Sequence, residues 1–204
     1  MDTWGEQLNI RLGMLFSRLG IPPNVWTLLS VAPALAGFIF LYKGDLLGGL
    51  VCFALSDILD AIDGAVARVT NSASNLGAFL DGVAERYMEI LLYGGLFFYM
   101  KDLPSIIFPN ALAVFLLAFG ALMIAYVKAY ADHKKVITDI DELRKLDGRW
   151  GRNSRVVLTY AGMLAGVFSP VLLAYAITLL AIAVNLTALQ RVIYVTRATT
   201  ARTD

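Results

Sequence analysis

Acidic side chains recur at helical spacing in two neighbouring apolar stretches of this sequence. They form two sets, one spaced by three residues and the other by four: Asp57, Asp60 and Asp63, then Asp81, Glu85 and Glu89. Either spacing places a set along one face of a helix. Carboxylates that converge at one depth repel each other unless some are protonated or a hard divalent cation, Mg²⁺ or Mn²⁺, lies between their oxygens. The pattern therefore indicates a cation site.

Small residues and an arginine accompany the acids. The four that matter are Gly64, Ala67, Arg68 and Gly77. Glycine and alanine allow a nucleotide to approach the helix closely, as they allow helices to approach each other, and an arginine can pair with a phosphate as a fork. A cation held by carboxylates neutralises the charge of a pyrophosphate, so the set favours phosphoryl chemistry. In the structural alternative, the acids line a water-filled cavity or pair with Arg68 and Arg86.

The elements that carry these residues are predicted to cross a membrane. Of the 204 residues, 58% are apolar and 16% are charged, whereas soluble domains have about 45–50% apolar and about 25% charged residues. Six stretches approach the roughly 20 residues that a bilayer-spanning helix needs. They are residues 25–42, 46–69, 77–100, 105–130, 155–168 and 171–193. The fold class is therefore predicted to be an all-α integral membrane protein.

A further helix is predicted before the first span. Residues 4–19 place one apolar stripe along a helix, formed by Trp4, Leu8, Leu12, Leu15, Phe16 and Leu19. Arg11 and Arg18 flank that stripe. This is the pattern of an amphipathic helix on the membrane surface, although a helix packed on the bundle would have a similar pattern.

The basic residues predict the orientation of the spans. Fourteen of the 17 Lys and Arg residues lie in or beside the N-terminus, loops 2–3 and 4–5 and the C-terminus, and two, Lys43 and Lys101, lie on the opposite side. Basic residues are enriched on the cytoplasmic side, so both termini are predicted to be cytoplasmic. We expect one domain over residues 1–204, with the surface helix in 1–22, the bundle in 23–196 and a cytoplasmic tail in 197–204.

Two segments of the acidic region resemble a family signature. Residues 60–68 read DAIDGAVAR, and residues 77–85 read GAFLDGVAE. This pair is similar to the signature of the CDP-alcohol phosphotransferase family, D-x2-D-G-x2-A-R, seven or eight residues, then G-x3-D-x3-D. Seven of its eight fixed positions are identical here. The last acid is Glu85, where the family has Asp.

The resemblance implies an activity and a set of roles. Family members transfer a substituted phosphoryl group from a CDP-alcohol to a hydroxyl acceptor and release CMP. The metal ligands would be Asp60, Asp63 and Asp81, with Glu85 as the general base that also touches metal, and the metal would be two ions of Mg²⁺ or Mn²⁺. The CDP-binding residues would be Asp60, Gly64, Ala67, Arg68 and Gly77. The expected partners are a CDP-linked lipid, a small polar hydroxyl acceptor, the lipid bilayer and a second copy of the chain, with no nucleic acid.

The acceptor is predicted from basic residues at two helix ends. Lys128 and the pair Arg152 and Arg155 flank loop 4–5 and loosely resemble the residues of members that use inositol phosphate, so they are predicted to bind the acceptor phosphate. Glycerol phosphate, serine and another alcohol remain alternative acceptors, and the donor lipid is either CDP-diacylglycerol or CDP-archaeol. The alternative of another class is an ion- or proton-coupled transporter, because intramembrane acids also mark ion pathways.

Overall fold

The structure is a computed structural model, which describes residues 4–137, 139, 146 and 151–203. Within these ranges the chain contains seven α-helices and no strand. They are α1 (Trp4–Ser17), α2 (Pro23–Tyr42), α3 (Leu46–Val69), α4 (Asn75–Met100), α5 (Asn110–His133), α6 (Arg152–Phe168) and α7 (Pro170–Thr203). The predicted all-α class is confirmed for this part of the chain.

Proline residues set where several helices begin. Pro22 caps α2 in an extended conformation, and α7 begins at Pro170. The fourth span was predicted to begin at residue 105, but α5 begins at Asn110, directly after Pro109. That prediction was wrong by five residues, because the residue before a proline is driven out of the α conformation. The Asn110 side chain also donates to the carbonyl oxygens of Met100 and Leu103, at 3.0 and 2.9 Å, which closes the connection from α4.

The chain divides into two compact units, Met1–Gly95 and Leu96–Asp204. In the first unit, α2 and α1 both pack against α3. The contact with α1 is made at Gly13, where an added Cβ would lie 2.5 Å from the Ala65 carbonyl oxygen. Glycine therefore permits the two backbones to approach closely.

Packing divides the apolar stripe that the sequence predicts for α1. Phe16 faces inward, and its ring meets the buried Trp26 edge to face, with centroids 5.4 Å apart. Leu15 and Leu19 point outward and are 60% and 59% exposed. The helix thus packs on α3 through one side and presents apolar side chains on another.

In the second unit, α5 and α6 both pack against α7. Gly120 lies where an added Cβ would be 2.9 Å from Asn185 Nδ2, and Asn185 donates to the Leu116 carbonyl oxygen at 2.8 Å. Arg191, which is 7% exposed, donates to the Ile124 carbonyl oxygen at 3.0 Å. Buried polar side chains of this unit therefore bind the backbone of a neighbouring helix.

Three of the described helices are long and apolar enough to cross a membrane: Val25–Tyr42, Asn110–His133 and Pro170–Arg197. The other three predicted spans differ from these in charge or length, because α3 and α4 carry the acidic sets and α6 has only 17 residues. Three basic residues used to predict the orientation, Arg144, Lys145 and Arg149, lie outside the described residues.

Candidate active site

Three aspartates of the signature meet between α3 and α4. One carboxylate oxygen from each of Asp60, Asp63 and Asp81 lies within 4.8 Å of the others. Asp60 and Asp63 are 9% and 5% exposed, and Asp81 is half-buried. The spacing of three residues on α3 and the short connection to α4 together bring the carboxylates to one place, as the sequence predicts.

The geometry of these oxygens suits a divalent cation. Oxygens bound to one Mg²⁺ at about 2.1 Å lie about 3.0 to 4.2 Å apart in octahedral geometry. The three oxygens need to draw together only slightly to reach that spacing, since they are already within 4.8 Å. Carboxylates are also the ligands that hard cations prefer. The donor set therefore fits Mg²⁺ or Mn²⁺.

Thr27 of α2 belongs to the same site. Its hydroxyl donates a short hydrogen bond to Asp63 Oδ2. The bond fixes the orientation of the carboxylate, as partners behind a metal ligand commonly do. The predicted site residues did not include Thr27, because it lies 36 residues from Asp63 in the sequence and no local spacing relates the two.

A half-open cavity of about 180 Å³ adjoins the three aspartates. It is lined by Thr27, Asp63, Gly64, Ala67, Arg68, Ser72, Ala73, Ser74, Gly77, Ala78 and Asp81. Four of the five predicted CDP-binding residues, Gly64, Ala67, Arg68 and Gly77, are among them. The fifth, Asp60, does not line the cavity, but one of its carboxylate oxygens lies within 4.8 Å of oxygens of Asp63 and Asp81. The Arg68 guanidinium lies over Gly64, since an added Cβ there would be 3.5 Å from Arg68 Nη1. An anion in the cavity would meet this guanidinium on one side.

The turn between α3 and α4 forms one wall of the cavity. Asn71 adopts a left-handed conformation, with φ of 51°, and Ser72 N donates to the Ala67 carbonyl oxygen at 3.0 Å. Asparagine tolerates this conformation better than most residues, and the bond is typical of a helix C-terminus. Ser74 Oγ then accepts from Gly77 N at 3.0 Å and caps α4. These local bonds place Ser72 and Ser74 beside the aspartates.

Glu85 lies one turn beyond Asp81 on α4, with its side chain 26% exposed. Among the described residues, the set with mutually close oxygens consists of the three aspartates and does not include Glu85. The Glu85 carboxylate instead accepts from Arg86 Nη2 at 2.8 Å. Its contact with metal and its role as a base stay predictions.

The predicted acceptor residues all lie in the second unit. Lys128 lies near the end of α5 and is half-buried, and Arg152 is the first residue of α6. Arg155, one turn further along α6, is 1% exposed. Their binding of an acceptor also stays a prediction.

The chain matches a known family over most of its length. The model of the family described as CDP-alcohol phosphatidyltransferase matches residues 21–189, which include the three aspartates and the cavity. This chain belongs to that family. Membership in this transferase family argues against the transporter alternative. Together with the three apolar helices, it also indicates that α3 and α4, which carry the acidic residues, belong to a membrane protein.

Several curated proteins similar to this chain are named as synthases of inositol phosphate lipids. One is the archaetidylinositol phosphate synthase of Aeropyrum pernix, which is 38% identical over 114 residues, or 55% of this chain and 54% of that protein. The chain thus spans about half of the length of this relative.

Solved structures of Mycobacterium tuberculosis phosphatidylinositol phosphate synthase share the fold. The structure with CDP-DAG bound has a TM-score of 0.77 and 25% sequence identity, and the alignment covers 93% of this chain and 94% of that one. The structure in complex with manganese and citrate has a TM-score of 0.78 and 25% identity, over 92% and 88% of the two chains.

Proposed function

We propose that this protein transfers a substituted phosphoryl group from a CDP-linked lipid to a hydroxyl of inositol phosphate and releases CMP. The observation that carries the proposal is the group of three aspartates, with oxygens within 4.8 Å, beside a cavity lined by Gly64 and Arg68. Relatives named archaetidylinositol and phosphatidylinositol phosphate synthases support the choice of acceptor.

The cavity residues bind the CDP group in this proposal. Arg68 donates hydrogen bonds to the pyrophosphate, and a charged fork of this kind is among the stronger hydrogen-bond donors. Gly64, Ala67 and Gly77 present little side-chain volume, so the nucleotide reaches the backbone of α3 and α4. In this proposal Asp60, on the same face of α3 as Asp63, also contacts the CDP group. The lipid tails of the donor stay in the bilayer.

The metal site is assigned to Asp60, Asp63 and Asp81, with Glu85 beside them. Two ions of Mg²⁺ or Mn²⁺ bound there would neutralise the charge of the pyrophosphate. Thr27 holds Asp63 in place through its hydrogen bond. Support comes from the fit of the oxygens to a hard cation and from the manganese-bound relative.

Glu85 is the general base of the proposed step. It takes the proton from the acceptor hydroxyl as the hydroxyl oxygen attacks the β-phosphorus. The new phosphorus–oxygen bond forms in line with the bond to the CMP oxygen, which breaks, and CMP leaves. A carboxylate within about 2.6–3.2 Å of the hydroxyl is enough for this transfer.

The acceptor phosphate is assigned to Lys128, Arg152 and Arg155. Arginine forks suit phosphate oxygens, and lysine adds a point charge. Glycerol phosphate would use the same basic residues, whereas serine or another simple alcohol would not need them. The acceptor panel described below separates these alternatives.

The proposed membrane arrangement has six spanning helices, α2 to α7, with α1 in the membrane interface. Exposed apolar residues on α1 and directly after it, such as Leu15 and Leu19, support the interfacial position. The excess of Lys and Arg on one side supports cytoplasmic termini and a cytoplasmic active site. We further propose that residues 1–204 act as one membrane domain, with 1–22, 23–196 and 197–204 as surface helix, bundle and tail, and that the protein is a homodimer.

The test is CMP release by purified protein in nanodiscs. CDP-diacylglycerol and CDP-archaeol are each offered with Mg²⁺ or Mn²⁺ and with inositol phosphate, glycerol phosphate, serine or no acceptor. We expect CMP only when metal and inositol phosphate are both present. Equal CMP release with glycerol phosphate would contradict the assignment of inositol phosphate as the specific acceptor. Folded protein that binds neither CDP nor Mn²⁺ would overturn the whole proposal.

A further inference from the structure

Four side chains of α4 form a continuous chain of polar contacts that ends at Glu85. Tyr93 donates its hydroxyl to Glu89 Oε1 at 3.2 Å, and Arg86 Nη1 lies 3.3 Å from Glu89 Oε2. The other terminal nitrogen of the same guanidinium, Nη2, donates to Glu85 Oε2 at 2.8 Å. The signature that predicts the active site contains neither Arg86, Glu89 nor Tyr93.

Glu89 and Tyr93, at the end of this series of contacts away from Glu85, are buried, and both carboxylate oxygens of Glu89 have a partner. Glu89 and Tyr93 are 4% and 2% exposed. Tyr93 contacts one oxygen of Glu89 and Arg86 contacts the other. Because a guanidinium is planar and rigid, fixing one of its terminal nitrogens also restricts where the other can point.

The contact between Arg86 and Glu85 does not follow from their places in the helix. Consecutive helical residues point about 100° apart and do not normally face each other. Residues three apart do, and Arg86 and Glu89 have that spacing. The pairing with Glu89 therefore turns the guanidinium to where it also reaches Glu85.

Glu85 has a particular need for such a restraint. The signature has Asp at this position, and Glu is longer by one methylene, with one more rotatable bond. A general base must stay within hydrogen-bond distance of the hydroxyl that it deprotonates. A positive charge at 2.8 Å also opposes the repulsion that Asp81, one turn earlier, exerts on the Glu85 carboxylate.

We infer that Arg86 is a positioning residue, held by buried Glu89 and Tyr93, that orients the Glu85 carboxylate to take the acceptor proton. The inference rests on the proposed function. In the simpler alternative, Arg86 only neutralises the buried Glu89 and has no part in the reaction. The two roles make different predictions: only the positioning role requires that the effect of an Arg86 substitution on kcat depend on the residue at position 85.

The first test is Arg86→Lys, assayed by CMP release in nanodiscs. Lysine keeps the charge but cannot bridge two carboxylates with a planar fork. We expect kcat to fall by about 10- to 100-fold, as misplacement of a reacting group by about an ångström can cost. The KM for the CDP-lipid should change by less than about twofold, because the predicted CDP-binding residues and the cavity are untouched. Arg197→Lys, at an exposed position of α7, is the matched control.

A double-mutant cycle with Glu85→Asp decides between the two roles. Aspartate is the residue of the signature and keeps a carboxylate, so the kcat of Glu85→Asp, measured first, is the reference for this background. We expect its shorter side chain to lose the contact with the Arg86 guanidinium. We expect Arg86→Lys to lower kcat by no more than about twofold in this background, because the pair is coupled. An equal loss in both backgrounds, or an unchanged kcat for Arg86→Lys alone, would overturn the inference.

The wild-type assay separates this inference from the proposed function. If the wild-type protein releases no CMP with any donor and acceptor, the proposed function fails and the inference fails with it. If the wild-type protein is active and the two backgrounds respond equally to Arg86→Lys, only the positioning role is wrong.

Discussion

Buried polar side chains are stabilised differently in the two compact units. In Met1–Gly95, the buried carboxylates of Asp60 and Asp63 lie beside a cavity and a third carboxylate. In Leu96–Asp204, buried Arg191 and half-buried Asn185 donate to backbone carbonyl oxygens of α5. The second arrangement supports packing, whereas the first brings like charges together.

The difference has a physical cause in the hydrogen bonds of a helix. A backbone carbonyl has two lone pairs and can accept a second hydrogen bond, but each backbone N–H has one hydrogen, which the helix already uses. Arginine and asparagine can therefore be satisfied by a neighbouring helix. A buried carboxylate cannot, and it needs a hydroxyl such as that of Thr27, a basic side chain or a cation. Clustered acids in a helical membrane protein thus point to a ligand more strongly than buried arginines do.

The largest effect is expected from a carboxylate of the site. Asp63→Asn keeps the size of the side chain and an acceptor for Thr27 but removes a ligand charge. We expect kcat/KM for CMP release to fall by roughly 10³-fold, because loss of metal-based charge stabilisation costs several kcal/mol. Asp102→Asn, which changes an 85% exposed carboxylate of the second unit, should have no effect. Equal activity of wild type and Asp63→Asn would show that the cluster is not catalytic.

The next largest effect is expected from Thr27, whose hydroxyl donates to a carboxylate, in comparison with Thr187, whose hydroxyl donates to a backbone carbonyl. Thr27→Val removes the donor to Asp63, so we expect Mn²⁺ affinity and activity to fall by about 10- to 100-fold, as for other residues that orient metal ligands. Thr27→Ser should restore most of both. Thr187→Val is the control in the second unit, since its hydroxyl donates to the Ala183 carbonyl oxygen of its own helix. An equal loss of Mn²⁺ affinity in both valine variants would show that the effect does not come from the hydrogen bond between Thr27 and Asp63.

Glycines should also behave differently in the two units. At Gly64 an added Cβ meets Arg68 at an ordinary 3.5 Å, so Gly64→Ala should fold normally but fill the cavity and raise the Kd for CDP by about tenfold. At Gly120 an added Cβ would lie 2.9 Å from Asn185, so Gly120→Ala should lower the melting temperature instead. Gly82→Ala, with nothing within 4 Å, should change neither. Isothermal titration and thermal unfolding measure the two quantities, and a normal Kd for Gly64→Ala would contradict the CDP site.

The smallest effects are expected from Arg155 and Arg191, which are both buried. Arg155→Lys should raise the KM for inositol phosphate by several-fold, because lysine lacks the planar fork. Arg191→Lys should leave that KM unchanged and lower the melting temperature by about 2–4 °C, through a weaker bond to the Ile124 carbonyl oxygen. An unchanged KM for Arg155→Lys would remove this residue from the acceptor site and leave both arginines with packing roles.

Features that depend on local sequence were predicted well. The helical class follows from apolar runs of membrane-spanning length, and the convergence of Asp60, Asp63 and Asp81 follows from helical spacing and a short turn. The start of α5 was missed because the apolar residues 106–108 resemble helix, while the proline at position 109 disfavours helical backbone at the residue before it.

Features that depend on distant contacts were not predictable in this way. Thr27 joins the site through a neighbour 36 residues away, and the split of the α1 stripe depends on how Gly13 seats that helix on α3. Periodicity predicts which residues share a helix face, but it does not predict which helix or side chain that face contacts.

The sequence by itself predicted the kind of site that this protein carries, because residue types and helical spacing are properties of a single segment. It predicted that three carboxylates, two glycines and an arginine form a site for a cation and a pyrophosphate. Only the tertiary structure decided which side chains hold those groups in position. Thr27 on Asp63 lies on another helix, and the path from Tyr93 through Glu89 and Arg86 to Glu85 depends on side-chain conformations and burial. Local spacing of three and four residues permits the contacts of Glu89 with Arg86 and Tyr93. The burial of Glu89 and the contact of Arg86 with Glu85 depend on packing, which no local pattern encodes.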